Sequence, residues 1–397
     1  MSEVAWIVGS LKERDSALEL LESESEAEPR DELNFGPLRD SLAEAFFPGI
    51  TTLQTRAKYF LFVPQMYRII ENGQSKAPAE TQIRHAENSL LQTLRASADT
   101  DGVIGSQKWV VPQTPSSAIY WTGLRTWRIR MFSDARPRYH RWLDGGRRLR
   151  SLSLAEEDGA GRPLLWHEFV GSCDVLENPQ MSLTRDEAEF LRNRILGIRD
   201  RGSRSLLKDM VSDHVPQRGL PFWELEMVRE GAAALSLHAR DAGMLSTALH
   251  GAMLAYNYWC ARLTGQEIWI QQWRDRCKQW SVDHPPSVWS AWKLQALWDR
   301  VELLPGGAEA RRATKPFVDA WVAELRRNAS TIAAERESAR RLIEIRERQA
   351  KRTRARLAGG PALRSWDGAT GIGAAPMRFR WPQAARVLRD IETAPGR

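Results

Sequence analysis

Apolar residues recur every three to four positions along most of the chain, a spacing that predicts amphipathic helices. The pattern is clearest at 79–97, whose apolar face comprises Ile83, Ala86, Leu90, Leu91 and Leu94. Read together with capping and turn residues, the spacing predicts further helices at 10–26, 38–47, 52–70, 184–198, 205–211, 223–263, 266–282, 287–302 and 308–356. The sequence therefore predicts a mainly α, helical multidomain protein.

One segment departs from the helical spacing. Residues 125–132 alternate long polar and apolar side chains, which is the period of a β-strand. Two predicted helices, at 79–97 and 116–124, come directly before it. This order of helix, turn, helix and strand predicts a small winged-helix-like α+β module, although protein-interaction modules share the same order of elements.

The predicted elements group into four regions. These are an acidic helical region at 1–77, the winged-helix-like module with a basic wing at 78–150, a helical domain at 151–325, and a basic helical arm with a C-terminal tail at 326–397. Residues 1–50 hold 12 acids and 4 bases, a net −8, whereas 326–397 hold 17 bases and 7 acids, a net +10. Such opposite charges favour an intramolecular contact or an anionic partner for the tail. Mixed glutamate and arginine at 335–356 predict an exposed helix or projecting arm.

Arginine is the main carrier of positive charge, with 48 arginines against 9 lysines. Arginine binds phosphate and carboxylate with two parallel hydrogen bonds, although a GC-rich genome gives the same bias. The densest basic segment, 125–150, has nine arginines and two acids, with Trp127, Phe132, Tyr139, His140 and Trp142 interleaved. Phosphate attraction with base stacking would suit a nucleic acid. An acidic protein surface and a solvated face without a partner stay open as alternatives.

The candidate nucleic-acid-binding residues in this segment are Arg125, Arg128, Arg130, Arg136, Arg138, Arg141, Arg147 and Arg148. A second candidate site lies on the helix predicted to begin at Thr51 or Thr52, where Thr52, Arg56 and Tyr59 share one face. Arg56 there is either a structural residue or part of a phosphate site at a helix start. In the structural interpretation, its acceptors would be Asp40 or Glu44.

Several segments resemble the bacterial DUF6361 family. The most specific is Phe47–Pro64, and Gly102–Gly105, Pro115–Leu124 and Arg378–Trp381 add to it. The resemblance covers nearly the whole chain. It implies no known reaction, because the function of the family is unknown. It does imply a genomic context beside helicase-like and phospholipase-D-like genes in anti-phage defence islands.

No familiar catalytic motif occurs in the sequence. There is no Gly-Lys-Ser/Thr, HxK, HExxH, GxSxG or CxxC, and no lysine has an acid two positions before it. The glycine-rich stretch 368–373 does not follow a predicted strand, and we interpret it as a flexible turn. We therefore expect neither a cofactor nor a metal, and an enzyme is less favoured than a binding protein.

The apolar runs are too short for a membrane helix, and the N-terminus lacks a basic region followed by an apolar one. We therefore expect a cytoplasmic protein without a membrane partner. The expected function is a non-catalytic nucleic-acid-binding or assembly subunit of a bacterial anti-phage defence system, with DNA as the main partner. Two alternatives stay open. One is a protein-interaction adaptor that holds a helicase or an effector nuclease, and the other is a nuclease with an unfamiliar site. A helicase or a phospholipase-D-like effector is the expected protein partner.

Overall fold

The structure, a computed structural model, describes residues 31–145, 165–172, 174–199, 205–213, 219–230, 233–327 and 331–395. These residues are mainly helical, as predicted. The first helices are α1 Gly36–Phe46, α2 Tyr59–Asn72, α3 Ala79–Arg95, α4 Ser116–Ile119, α5 Trp121–Thr126, α6 Arg136–Asp144, α7 Phe169–Ser172, α8 Arg185–Leu196 and α9 Leu206–Asp213. They are followed by α10 Glu226–Glu230, α11 Ala233–Thr264, α12 Glu267–Asp283, α13 Pro286–Ala291, α14 Leu294–Glu302, α15 Gly307–Arg326, α16 Glu337–Lys351, α17 Pro361–Arg364 and α18 Trp381–Glu392. The predicted helix at 10–26 lies outside the described residues.

The chain divides into two compact units, each built from segments distant in sequence. The first unit combines the residues up to Ala45 with Gln217–Phe379, and the second combines Phe46–Pro216 with Arg380–Arg397. The boundaries of the four regions expected from the sequence stay a prediction. Among the described residues, no helix has both the length and the apolar character that crossing a membrane requires.

Helix α2 belongs to the core of the second unit, and ten of its 14 residues are buried. Phe60 stacks on Trp127 with ring centroids 3.9 Å apart, and Tyr67 stacks on Trp166 at 5.7 Å. Pro64 lies inside the helix without ending it. The aromatic content of the sequence therefore serves core packing here, since large rings bury much apolar surface.

The prediction that this helix begins at Thr51 or Thr52 is wrong, because α2 begins at Tyr59. The backbone N–H groups of Thr55 and Arg56 donate to the Tyr120 hydroxyl at 3.0 and 3.1 Å. The next N–H, that of Ala57, donates to the Asp390 carboxylate at 2.7 Å. These long-range acceptors replace the hydrogen bonds that a helix would supply, so the residues before Tyr59 are a turn.

The structure does not show the winged-helix-like module expected at 78–150. Residues 121–126 are helical, and the chain then turns at Arg128, whose φ is +55°. The strand predicted over 125–132 is thus wrong in its first part. Within the described residues, the pairing expected of a wing is reduced to one isolated antiparallel bridge between Arg130 and Trp166.

Helix α11, 32 residues long, lies at the centre of the first unit. The helix continues without interruption through Gly243. A Cβ atom at Gly243 would lie 2.7 Å from the Trp223 ring, so this glycine allows a bulky side chain to pack against the helix backbone. The Trp321 indole donates to the Ala248 carbonyl at 2.8 Å on the same helix.

The expectation of an exposed or projecting arm at 335–356 is wrong for its central part. Glu347 is fully buried and accepts from the Tyr256 hydroxyl at 2.7 Å and from the backbone N–H of Arg356 at 2.7 Å. Arg346 is also buried and donates to the carbonyls of Leu33 and Ala313. Both charged groups have several hydrogen-bond partners, which is the condition for burying them. Ion pairs join the acidic and basic ends of the sequence, from Arg356 to Glu32 at 2.7 Å and from Lys351 to the same carboxylate at 3.4 Å.

The glycine-rich stretch 368–373 is packed against the first unit rather than free. The carboxamide oxygen of buried Asn257 accepts from the Trp366 indole at 2.9 Å and from the Ile372 N–H at 2.8 Å. Gly371 has φ +66° and lies against the Trp273 ring. The stretch is therefore a packed turn that holds its flanking residues on α11 and α12.

Candidate nucleic-acid interface

The arginines predicted to bind nucleic acid occupy different environments. Arg130 is only 3% exposed, and its guanidinium donates to the carbonyls of Phe132 at 2.6 Å and Asp134 at 2.9 Å. It also lies over the Trp121 ring, 4.3 Å from the centroid. Because its guanidinium is enclosed in this way, Arg130 is not exposed for contact with a phosphate.

Two further arginines of this segment are paired with carboxylates. Arg136 lies 3.1 Å from Glu80, and Arg138 lies 2.8 Å from Asp134. Arg141 is exposed on α6. The remaining candidates, Arg147 and Arg148, lie outside the described residues.

Arg125 and Arg128 have a different setting, because two arginines distant in sequence lie beside them. Burial, followed by the charges of Arg128 and Arg199, lowers the pKa of Arg125. Burial and the charge of Arg128 lower the pKa of Arg194 in the same way. Four arginines of the second unit therefore form one group of neighbouring positive charges. We call this group, which consists of Arg125, Arg128, Arg194 and Arg199, the arginine cluster.

The fold brings the two halves of the cluster together through a short chain of contacts. After the Arg130–Trp166 bridge, His167 donates its backbone N–H to the Ile129 carbonyl at 2.8 Å. Phe169 then stacks on Phe190 of α8, with centroids 4.2 Å apart and planes 9° apart. Arg194 lies one turn after Phe190, and its guanidinium is 5.9 Å from that ring. The bridge and the stacked rings thus hold α8 near the segment that carries Arg128.

The start of α8 is also well defined. Thr184 and Glu187 form a reciprocal capping box, as the sequence predicts. Glu187 additionally binds Lys58 of the loop before α2, with oxygen–nitrogen distances of 2.8 and 2.6 Å. Helix α8, and with it Arg194, is therefore anchored at the end opposite the cluster.

No described carboxylate forms an ion pair with any member of the arginine cluster. Arg125, Arg128 and Arg194 are half-buried, and Arg199 is exposed. The Nε atom of Arg194 is buried and has no hydrogen-bond acceptor among the described residues. Like charges held together repel each other, and partial burial strengthens this repulsion. An anion with several acceptor oxygens would relieve it, which is the chemistry of a phosphate group.

The aromatic residues expected to stack on bases do not belong to this surface. Trp127, Phe132 and Tyr139 are 0% exposed, and His140 and Trp142 are 6% and 8% exposed. They pack against one another and against α2, so the interleaved aromatic pattern of 125–150 reflects core packing. Phosphate binding by Arg125 and Arg128 stays a prediction, whereas the expected stacking of these aromatic residues on bases is wrong because they are buried.

The second candidate site has a structural arrangement. Arg56 donates to Asp390 at 2.9 Å, to Asp99 at 3.1 Å and to the Asp101 carbonyl at 2.9 Å, rather than to Asp40 or Glu44. Tyr59 accepts the Ile104 N–H at 2.9 Å, and Thr52 lies half-buried in the turn before α2. Because carboxylates occupy the Arg56 guanidinium, these three residues do not form a phosphate site.

Sequence reasoning missed Arg194 and Arg199. The sequence does contain a signal for these two residues, the short arginine-rich run that also includes Arg192. Nothing in that run indicates that it lies near Arg125. Among the described residues, no three histidine, cysteine, aspartate or glutamate side chains are placed to share a metal ion.

Comparison with known families gives one match. The model of DUF6361, a family of unknown function, matches residues 1–395. No curated protein and no solved structure matches the chain.

Proposed function

The chain belongs to the DUF6361 family, whose function is unknown, and from this premise we propose that it is a non-catalytic subunit that binds the phosphate backbone of nucleic acid, chiefly DNA. The arginine cluster is the binding surface. Four guanidinium groups without a carboxylate partner among the described residues support this proposal more than any other feature does.

The composition of the cluster favours phosphate over a protein carboxylate. Each guanidinium offers a planar set of donors that fits two phosphate oxygens. The four charges come from two segments, so the surface can contact neighbouring phosphates of one strand. Such contacts position a nucleic acid without reading its sequence. We therefore expect binding that depends strongly on salt and weakly on base sequence.

The wider setting of the proposal is a bacterial anti-phage defence system. The genomic neighbourhood implied by the family resemblance supports it, with a helicase or a phospholipase-D-like effector as the protein partner. In this setting the chain would hold nucleic acid for a catalytic neighbour. A pure adaptor without nucleic-acid binding, and a nuclease with an unfamiliar site, are the alternatives that the experiment must separate.

Charge reversal within the cluster is expected to abolish most binding. The purified full chain is titrated into labelled duplex and single-stranded DNA at about 50 mM salt. The variant Arg128→Glu with Arg194→Glu should bind about 100-fold more weakly, because two charge-assisted contacts become repulsive. Arg130 is left unchanged, since its buried guanidinium supports the fold.

The matched control is Arg84→Glu with Arg185→Glu, which changes the net charge equally at two exposed positions of the second unit outside the cluster. It should retain affinity within about threefold, because an exposed charge outside the binding surface is screened by salt and contributes little. No binding by the wild-type chain, together with co-purification of a neighbouring gene product, would favour the adaptor. Cleavage of the DNA after addition of Mg²⁺ would favour the nuclease.

A further inference from the structure

An aromatic pair lies beside the arginine cluster, and its rings do not come from the aromatic residues of 125–150. Phe169 of α7 stacks on Phe190 of α8, with ring centroids 4.2 Å apart. The Arg194 guanidinium lies 5.9 Å from the centre of the same Phe190 ring. A cluster arginine and the Phe169 ring are therefore neighbours of one ring, well within the roughly 4 nucleotides that a small single-strand site spans.

The two rings of this pair differ in exposure. Phe190 is only 7% exposed, whereas Phe169 is half-buried. One face of the Phe169 ring lies against Phe190, and no second ring or cation of the described residues lies over it. An accessible ring beside positive charges is typical of proteins that bind single-stranded nucleic acid, because the charges hold the backbone while the ring stacks on an unpaired base.

The Phe169 ring is also held in place before any ligand binds. Phe169 donates its backbone N–H to Nδ1 of His167 at 3.2 Å, and the His167 ring packs against Phe190 with centroids 5.0 Å apart. His167 in turn donates its backbone N–H to the Ile129 carbonyl, next to Arg128 in the chain. These contacts connect the ring to both segments of the cluster. A ring that is already ordered loses little conformational entropy when a base stacks on it.

We propose that the arginine cluster binds single-stranded nucleic acid in preference to duplex, with Phe169 stacked on one unpaired base while Arg128 and Arg194 hold nearby phosphates. This inference rests on the proposed function, and it adds the form of nucleic acid that is bound and the residue that selects it. A duplex fits less well, because its bases are stacked on one another and offer the ring no free face. Charge alone would favour the duplex, whose phosphates are denser, so a preference for single strands reports the stacking contact.

The test compares the affinity of the full chain for an oligothymidine of about 16 nucleotides with its affinity for a duplex of the same length. The wild-type chain should bind the single strand about 10-fold more tightly, the effect of stacking one base on an aromatic ring. Phe169→Leu should lose this preference and keep its duplex affinity, because leucine retains an apolar contact with Phe190 and leaves the arginines unchanged. Phe169→Tyr should retain the preference, because it retains the ring.

The matched control is Trp109→Leu, which removes another half-buried ring of the second unit, one that lies beside Arg95 and not beside a cluster arginine. It should bind both ligands as the wild type does. Equal losses of single-strand and duplex affinity in Phe169→Leu would show that the ring only packs α8. Equal wild-type affinities for the two ligands would also overturn the inference. In either case the proposed function would stand if Arg128→Glu with Arg194→Glu still weakened duplex binding, whereas no binding of either ligand would remove both.

Photocrosslinking tests the same contact without a variant. Oligothymidine that carries one 5-iododeoxyuridine is irradiated in complex with the wild-type chain, and mass spectrometry identifies the crosslinked residue. Iodouracil crosslinks preferentially to an aromatic side chain that stacks on it, so Phe169 should carry the crosslink. Crosslinks that occur only at other residues would overturn the assignment of Phe169.

Discussion

Replacing Lys58 by methionine is expected to lower the free energy of unfolding by about 3–5 kcal/mol, because it leaves the Glu187 carboxylate buried without its cation. The two side chains are 6% and 7% exposed, and the Lys58 ammonium also donates to the Ser182 carbonyl at 3.1 Å. Methionine has a similar volume, so the loss reports charge rather than packing. Urea unfolding followed by tryptophan fluorescence measures the effect.

The matched control is Arg84→Met, which removes an exposed ion pair with Glu80 on α3. Its cost should be at most about 0.5 kcal/mol, because solvent screens such a pair. Adding Glu187→Gln to Lys58→Met should recover part of the loss, since glutamine can still accept the Thr184 N–H at the start of α8. Equal destabilisation by Lys58→Met and Arg84→Met would contradict the buried ion pair.

Replacing Gly371 by alanine is expected to destabilise the chain by about 2–5 kcal/mol, through left-handed backbone strain and overpacking together. Gly371 has φ +66°, and an added Cβ would overlap the Trp273 ring. That ring is fully buried, and its indole donates to the Gly368 carbonyl at 2.9 Å, so it has little freedom to move. Thermal or urea unfolding of the full chain gives the magnitude.

The variant Gly359→Ala separates the effect of backbone strain from the effect of overpacking. Gly359 has φ +81° in the same unit, but no atom lies within 4 Å of its added Cβ. It should therefore cost only about 1–2 kcal/mol, the backbone contribution alone. If both alanine variants lose the same stability, the glycine turn is not packed on Trp273 as described.

The helices were predictable because their signals are local. The capping box of Thr184 with Glu187 and the apolar face of α3 both depend on residues within one or two turns. The start of α2 was not predictable in this way. Its position depends on Tyr120 and Asp390, which lie 64 and 333 residues from the N–H groups they bind.

The strand predicted at 125–132 failed for a related reason. Polar and apolar residues alternate at 125–132 because their side chains face opposite sides of a helix end and a turn. They do not face the two sides of a sheet. Arg128 adopts a left-handed backbone conformation, which a strand pattern does not anticipate. The apolar members of the pattern, Trp127 and Phe132, are needed in the core beside α2.

The sequence indicates only some of the residues of the candidate site. The density of arginine at 125–150 indicates Arg125 and Arg128 as candidates, but gives no means of separating them from Arg130, which is buried. Burial depends on Trp121 and on backbone carbonyls that surround the guanidinium. Arg194 and Arg199 join the cluster only through the tertiary contact between Phe169 and Phe190.

The measurement that tests the central claim most directly is the salt dependence of duplex DNA binding. If three or four cluster arginines each neutralise a phosphate, the logarithm of the association constant should fall with the logarithm of salt concentration with a slope of about −3. Arg128→Ala with Arg194→Ala should make that slope shallower by about 1.8, and Arg84→Ala with Arg185→Ala should leave it unchanged. A wild-type slope near zero, or the same slope in both double variants, would contradict the assignment of the arginine cluster as the nucleic-acid interface.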